Sequence, residues 1–319
     1  MVKAKIVCVV GTNASGKSAL GVELARRFGG EIISADSRQV FRGLDLGSGK
    51  ITPEEMKGIP HHLIDVREPN EFFSMADFQK MAYGAIEDIR ARGRLPFIVG
   101  GTGLYVASVA EGYELSGPAP DLAYREELET YDTPALHRML LEKLPDADVD
   151  PQNRNRVMRL LERLKSGDAL EPRKNPRYDV LQLGVTWPRA EICARIDRRL
   201  EARMRADMPG EVRRLLENGA TPAFLKKLGL EYRYLTEYLT GEIPTEAAML
   251  DELSRAIKRF AKRQMTWFRK DKSILWLDMY ADPLAQACAA IEAWRSDAEG
   301  SAPGSRARAD ALENPRLGG

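Results

Sequence analysis

The stretch "GTNASGKS", residues 11–18, limits the possible folds of this chain more than any other segment. It fits the pattern G-x-x-x-x-G-K-[ST], with Gly11, Gly16, Lys17 and Ser18 in the required places. The apolar run "KIVCVV" precedes it and "SALGVELARRF" follows, so the loop is expected between a buried strand and a helix. The glycines let backbone N–H groups turn inward around phosphate oxygens. Lys17 adds a cation, the Ser18 hydroxyl can hold Mg²⁺, and the helix N-terminus favours an anion. Thr12, Asn13, Ala14 and Ser15 complete the candidate cradle. Most chains with such a loop split a nucleoside triphosphate or pass its phosphate on. Another diphosphate meets the same physical demands, and the loop alone leaves both open.

The segments that follow repeat the strand–helix alternation of βαβ units. After the strand at 6–10 and the helix at 18–28 come "EIISAD" (31–36), a short strand in "HHLIDV" (61–66), a helix at 75–93 and a buried strand in "LPFIVGG" (95–101). Ser74 is placed to cap that helix and Gly93 to stop it, and another helix starts in "GTGLYVASVAEGY" (101–113). This pattern predicts a P-loop NTPase-like α/β fold, a doubly wound parallel sheet with ligands at the C-terminal strand ends. "SGPAPD" (116–121) reads as a boundary, followed by an all-helical pattern at 121–131, 133–143 and 153–166. "VLQLGVTW" (180–187) returns to the sheet, long helices follow at 189–207, 210–217 and 245–269, and "ILWLDM" (274–279) adds a last strand. The expected organisation is thus a core of residues 1–115 and 180–295 with a helical insertion at 116–179. The tail from Ser296 lacks an apolar period and reads as disordered.

Composition narrows the function classes. Three dispersed cysteines, Cys8, Cys193 and Cys288, indicate neither a disulfide framework nor a zinc site, and no apolar stretch is long enough for a membrane span. No signal peptide is read at the start, so a reduced, cytoplasmic setting is expected. The net charge of +1 hides a local pattern. Residues 121–150 carry nine acidic and three basic side chains, 150–178 eight basic and four acidic, and 255–272 eight basic and one acidic. Basic zones of this kind suit a polyanion, and equally the solvated faces of helices.

Asp36 in "SADSRQ" falls at the end of a strand near the phosphate loop, either as a reactive carboxylate or as a turn aspartate. Thr102 in "GGTGL" brings a hydroxyl to the same crevice. P-loop NTPases usually end a buried strand with an aspartate that holds Mg²⁺. "LPFIVGGTG" ends in glycines and threonine instead, Asp65 is a weak substitute, and His61–His62 read as structure rather than as metal ligands. A small-molecule kinase and a nucleotide-switched RNA-binding module remain the competing classes at this point.

Six motifs in order, "GTNASGKS", "SADSRQVFRGLDLGSGK", "FSMADF", "VGGTGLY", "NRVMRLLE" and "AKRQMTWFR", resemble the bacterial tRNA dimethylallyltransferases, also called tRNA isopentenyltransferases. The resemblance implies transfer of a dimethylallyl group from dimethylallyl diphosphate to the N6 amine of the adenine at tRNA position 37, beside the anticodon. The loop Gly11 to Ser18 would then hold the donor diphosphate with Mg²⁺, Asp36 would be the general base, and Thr102 would contact the diphosphate or the base region. Arg199 in "RIDRRLEARM" lies where the family has an arginine on the diphosphate. The resemblance further implies tRNA contacts at Asp36, Ser37, Arg38 and Gln39, at Arg125, at Asn155, Arg156, Val157, Met158 and Arg159, and at Lys262, Arg263, Gln264, Trp267 and Arg269. A base entering the Asp36 segment must leave its stack. The expected partners are therefore the anticodon stem-loop of tRNA and dimethylallyl diphosphate, with a monomer as the default state.

Several positions depart from the family pattern. Thr12-Asn13 replaces the usual Pro-Thr, Ser18 the commoner threonine, and Asn153 a frequent carboxylate. "LGLEYR" (228–233) stands in place of Gly-Tyr-Arg, with the glycine two places earlier, so the resemblance assigns no tRNA contact to Tyr232 or Arg233.

Overall fold

The computed structural model describes residues 3–115 and 121–296. Its chain runs β1 (Ala4–Gly11), α1 (Lys17–Phe28), β2 (Glu31–Ser34), α2 (Pro53–Met56), β3 (His61–His62), α3 (Met75–Ala91), β4 (Pro96–Gly100) and α4 (Gly103–Ala110). Three helices follow, α5 (Leu122–Glu129), α6 (Thr133–Lys143) and α7 (Arg154–Ser166). The remainder is β5 (Tyr178–Val185), α8 (Arg189–Arg205), α9 (Met208–Glu217), α10 (Pro222–Leu228), α11 (Leu230–Leu239), α12 (Glu246–Phe268), β6 (Ile274–Trp276) and α13 (Pro283–Ser296).

The six strands form one parallel sheet in the order β3-β2-β4-β1-β5-β6. Successive side chains of a strand point to opposite faces, and a parallel sheet buries both. Ile6, Cys8 and Val10 of β1 join Ile33 and Ile98 against Phe78, Ile86 and Ile89 of α3 and Val106 and Val109 of α4. Val7 and Val9 join Ile32, Phe97 and Leu183 against Val22 and Leu24 of α1 and Ala287 and Ile291 of α13. Each such side chain, fully buried, contributes roughly 1.5–3 kcal/mol, which is why an apolar run without polar alternation becomes an inner strand. A third core, built on Val40, Phe41 and Leu44, gathers Ile196 and Leu200 of α8, Val212 of α9, Tyr232 and Leu235 of α11 and Leu253 of α12.

The chain divides into two compact units, Met1–Ala110 with Pro176–Gly319 and, separately, Glu111–Asn175. The smaller unit has its own core, with Leu128 of α5, Leu136 and Leu140 of α6, and Val157, Met158 and Leu161 of α7. Side-chain oxygens cap its helices: Asp121 accepts from the Tyr124 amide, Asp132 from Ala135 and Asn153 from Arg156. The boundary read at "SGPAPD" falls mainly on 116–120, outside the described residues, as does the segment beyond Ser296.

Ser74 and Asp77 form a reciprocal capping box at the start of α3, and Gly93 follows its end at φ 68°. The third strand is only two residues long. Helices α10, α11 and α13 have no counterpart in the sequence expectations. Helices α10 and α11 are short, and only Gly229, in extended conformation, separates them. Neither is long enough to show a helical period clearly.

Candidate active site

The loops that leave β1, β2 and β4 meet at the C-terminal edge of adjacent strands, because the sheet order places β4 between β2 and β1. The close packing of these strands requires Gly100: a Cβ there would stand 2.1 Å from the Ala35 carbonyl oxygen.

In the first loop Gly16 is left-handed, at φ 96°, and caps α1 with no side-chain hydrogen bond. The first-turn amides of α1 therefore lack a side-chain partner at its N-cap, the arrangement that receives anions. Lys17 Nζ donates to the Thr12 carbonyl at 3.3 Å, folded back on its own loop. The hydroxyls of Thr12 and Ser15 are buried without a hydrogen-bond partner among the described residues, and Trp187 Nε1 donates to the Ser15 carbonyl at 2.9 Å. Gln264 on α12 is buried and bridges two loops. Its Oε1 accepts from the Asn13 amide at 2.9 Å and its Nε2 donates to the Gly101 carbonyl at 2.9 Å.

Asp36 lies two residues beyond β2 and closes a turn. Its Oδ1 accepts from the Arg38 amide at 2.9 Å and stands 3.6 Å from Arg38 Nε. The turn reading and the reactive reading of Asp36 are thus compatible, since the turn is what points this segment into the crevice. Thr102 supports the same turn: its Oγ1 accepts from the Ser37 amide at 3.3 Å and its own amide donates to Ala35. Gln39 Nε2 donates to the Gly49 carbonyl at 3.2 Å. Glu211 on α9 holds the neighbouring loop by accepting from the amides of Asp45, Leu46 and Gly47, and the Tyr232 hydroxyl donates to Glu211 while accepting from the Ser48 amide. Tyr232 is therefore a buried brace, and Arg233 pairs with Glu237 on its own helix.

These elements line an open crevice. Its polar lining includes Asn13, Lys17, Ser18, Asp36, Arg38, Gln39, Arg199, Arg203 and Glu231, and its apolar lining Ile32, Ile51, Val99, Ile196, Leu200 and Ile257. Four cations against two carboxylates leave an excess of positive charge. Burial pushes the Lys17 ammonium down from 10.5 to about 8, helped by Arg199, Arg38 and Arg203 and opposed by Asp36. Burial and the adjacent Arg203 push Arg199 down to about 10. Negative charge brought among these cations would offset both effects.

Arg203 and Glu231 escaped the sequence reading. Arg203 lies one turn beyond Arg199 on α8, so the i, i+4 spacing in "RIDRRLEARM" was the available signal. Glu231, flanked by Leu230 and Tyr232, was visible only as a lone carboxylate among apolar neighbours.

For a metal, no group of three His, Cys, Asp or Glu side chains assembles among the described residues. Ser18 is exposed and lines the crevice. One hydroxyl beside a cradle for phosphate oxygens fits Mg²⁺, which keeps several waters and shares substrate phosphates.

The remaining candidate residues divide between the two units. On α12 and its C-terminal cap, Lys262, Arg263, Trp267 and Arg269 are exposed, whereas Gln264 faces inward to the two loops. In the smaller unit Asn155, Arg156 and Arg159 are exposed, but the side chains of Val157 and Met158 lie in its core and offer no surface for RNA. Arg125 and Arg159 both pair with the buried Glu162, at 2.7 and 3.1 Å. His62 pairs with Glu31 and His61 with the Ile59 carbonyl, which accounts for both as structure.

A glycine-bearing loop running into a helix N-terminus that has no side-chain cap, on a parallel sheet at its topological switch, defines a P-loop α/β protein. The IPP transferase family model matches residues 39–271, and the chain belongs to that family. It is 41% identical over 291 residues to a tRNA dimethylallyltransferase of Halalkalibacterium halodurans, covering 87% of this chain and 92% of the relative. A tRNA dimethylallyltransferase of Streptococcus sanguinis is 43% identical over 275 residues, covering 85% and 92%. The crystal structure of a tRNA isopentenylpyrophosphate transferase from Bacillus halodurans superposes with a TM-score of 0.71 at 38% identity, covering 93% of this chain and 100% of that one.

Proposed function

We propose that this chain is a tRNA dimethylallyltransferase, which moves a dimethylallyl group from dimethylallyl diphosphate to N6 of the adenine at position 37 of tRNA, releasing diphosphate. The observation that carries this reading is the pairing of a phosphate cradle with an apolar wall and a carboxylate. Ile32, Val99 and Ile196 line the same crevice as Lys17 and Asp36, and β4 ends at Gly100 and runs on into Gly101 and Thr102 with no aspartate there. A nucleotide hydrolase needs that aspartate, whereas an allylic diphosphate needs the apolar wall.

In this reading the loop amides, Lys17, Arg199 and Arg203 bind the diphosphate and take up the charge that develops on it. The Ser18 hydroxyl would hold a Mg²⁺ ion, which would supply further positive charge to the diphosphate. N6 attacks the allylic carbon, the bond from that carbon to the diphosphate oxygen breaks, and the N6 proton passes to the Asp36 carboxylate. Thr102 and Arg38 fix the Asp36 turn. Because the amine is a weak nucleophile, positioning and electrostatics supply most of the acceleration.

We assign contacts with the anticodon stem-loop to Arg125, Asn155, Arg156 and Arg159 in the smaller unit and, separately, to Lys262, Arg263, Trp267 and Arg269 on α12 and its C-terminal cap; all but the half-buried Arg125 are exposed. Backbone phosphates supply most of such affinity, and it falls as salt rises. The enzyme acts as a monomer in the cytoplasm, and among the described residues no helix is long and apolar enough to cross a membrane. Gln264→Ala removes two neutral hydrogen bonds that join the cradle to the Gly101 loop. It is expected to raise the KM for the donor about 5–100-fold with little change in the KM for tRNA. A rise confined to tRNA would make Gln264 an RNA contact instead. The assignment as a whole is tested by pyrophosphate release that requires both dimethylallyl diphosphate and tRNA. Consumption of ATP with a phosphorylated small molecule as product would contradict it.

A further inference from the structure

Glu231 enters the crevice from α11, an element that contributes none of the residues assigned above. Its side chain is 4% exposed, and it lies among cations. Oε2 accepts from Arg38 at 2.8 Å, and Oε1 stands 3.6 Å from Arg203. Arg38 in turn lies 3.6 Å from Asp36 Oδ1. One carboxylate therefore ties the arginine beside the proposed base to the arginine beside Arg199.

Consider Arg38 without that tether. A guanidinium that keeps one carboxylate partner moves onto it, and the ideal arrangement is bidentate, with both carboxylate oxygens engaged. Arg38 instead gives its short contact to Glu231, and the hydrogen bond and the ion pair of Asp36 both fall on Oδ1. Oδ2 is left without a protein partner among the described residues. A base clamped by a bidentate arginine is weaker, since the opposite charge stabilises its ionised form.

We propose that Glu231 is a positioning residue that draws Arg38 away from Asp36, keeping one oxygen of Asp36 available for the N6 proton. This rests on the transferase reading of the site. Removing the charge of Glu231 then has opposite effects on the two substrates' steps. The proton acceptor weakens, while the uncompensated arginines make the crevice more positive and hold the donor at least as tightly.

The test is steady-state kinetics of the full chain with dimethylallyl diphosphate and unmodified tRNA. Glu231→Gln is expected to lower kcat about 10–100-fold while the donor KM stays level or falls. In an Arg38→Gln background the same substitution should change kcat less than about twofold, because the guanidinium it acts through is gone. An unchanged kcat in Glu231→Gln, or a donor KM that rises in step with the loss of kcat, would overturn the proposal. Should Glu231→Gln fail to fold, the double variant is compared with Arg38→Gln alone. Equal rates support the tether, and a further large loss refutes it. Wild-type enzyme run alongside separates the two claims, since no transfer by the wild type would remove the transferase reading itself.

Discussion

Asp36→Ala lowers kcat for dimethylallyl transfer by about 10²–10⁴-fold, the usual range for a positioned proton acceptor, and leaves tRNA affinity nearly unchanged. The reasoning runs from geometry to chemistry. Asp36 is partly buried in a crevice that also holds Lys17 and an apolar wall, and its turn is pinned by the Arg38 amide and by Thr102. Asp36→Asn separates the two roles of this side chain. The amide can still accept from the Arg38 backbone and so keep the turn, but it cannot take a proton, so Asn should be nearly as inactive as Ala. Filter binding or fluorescence titration with tRNA, beside single-turnover transfer, checks both halves. Retained transfer in Asp36→Asn would assign the residue to the turn alone.

Lys17→Ala should be the second large effect, a fall in kcat/KM for the donor of about 10²–10³-fold. Its signature is in the pH dependence. In the empty site Lys17 titrates at about 8, because burial and three arginines disfavour its charge. A bound diphosphate favours the protonated form and raises that value. Donor affinity is therefore level below pH 8 and falls above it, approaching about tenfold per pH unit, until the pKa of the bound form is reached. Lys17→Arg keeps its charge through this range and should lose the inflection. A donor KM in the wild type that stays flat from pH 7 to 9.5 would contradict this account of Lys17.

What could be read in the sequence and what could not follows from the range of the interactions. The phosphate loop, β1 and the capping box of α3 are local patterns, in which each residue is explained by neighbours within a few positions. Even the three-residue β6 was legible, because an apolar run bounded by polar residues fits a buried strand. The contact of Glu231 with Arg38 spans 193 positions, and that of Gln264 with Asn13 spans 251, so no window could contain either. Helical direction was available but unused at Gln264. Ile257, Ala261, Gln264 and Phe268 are spaced four, three and four apart and are all buried, so the period alone turns Gln264 inward and Trp267 outward. The same spacing argument buries Val157 and Met158 between exposed arginines on α7.

The most direct test of the central claim is the product itself. Purified protein is incubated with Mg²⁺, dimethylallyl diphosphate and unmodified total tRNA, and the RNA is digested to nucleosides for mass spectrometry. The account predicts the dimethylallyl mass increment on adenosine, mapping to position 37 and absent when Asp36→Ala replaces the wild type. Unmodified adenosine after full incubation with active, folded protein, or an increment that persists undiminished in Asp36→Ala, would contradict it.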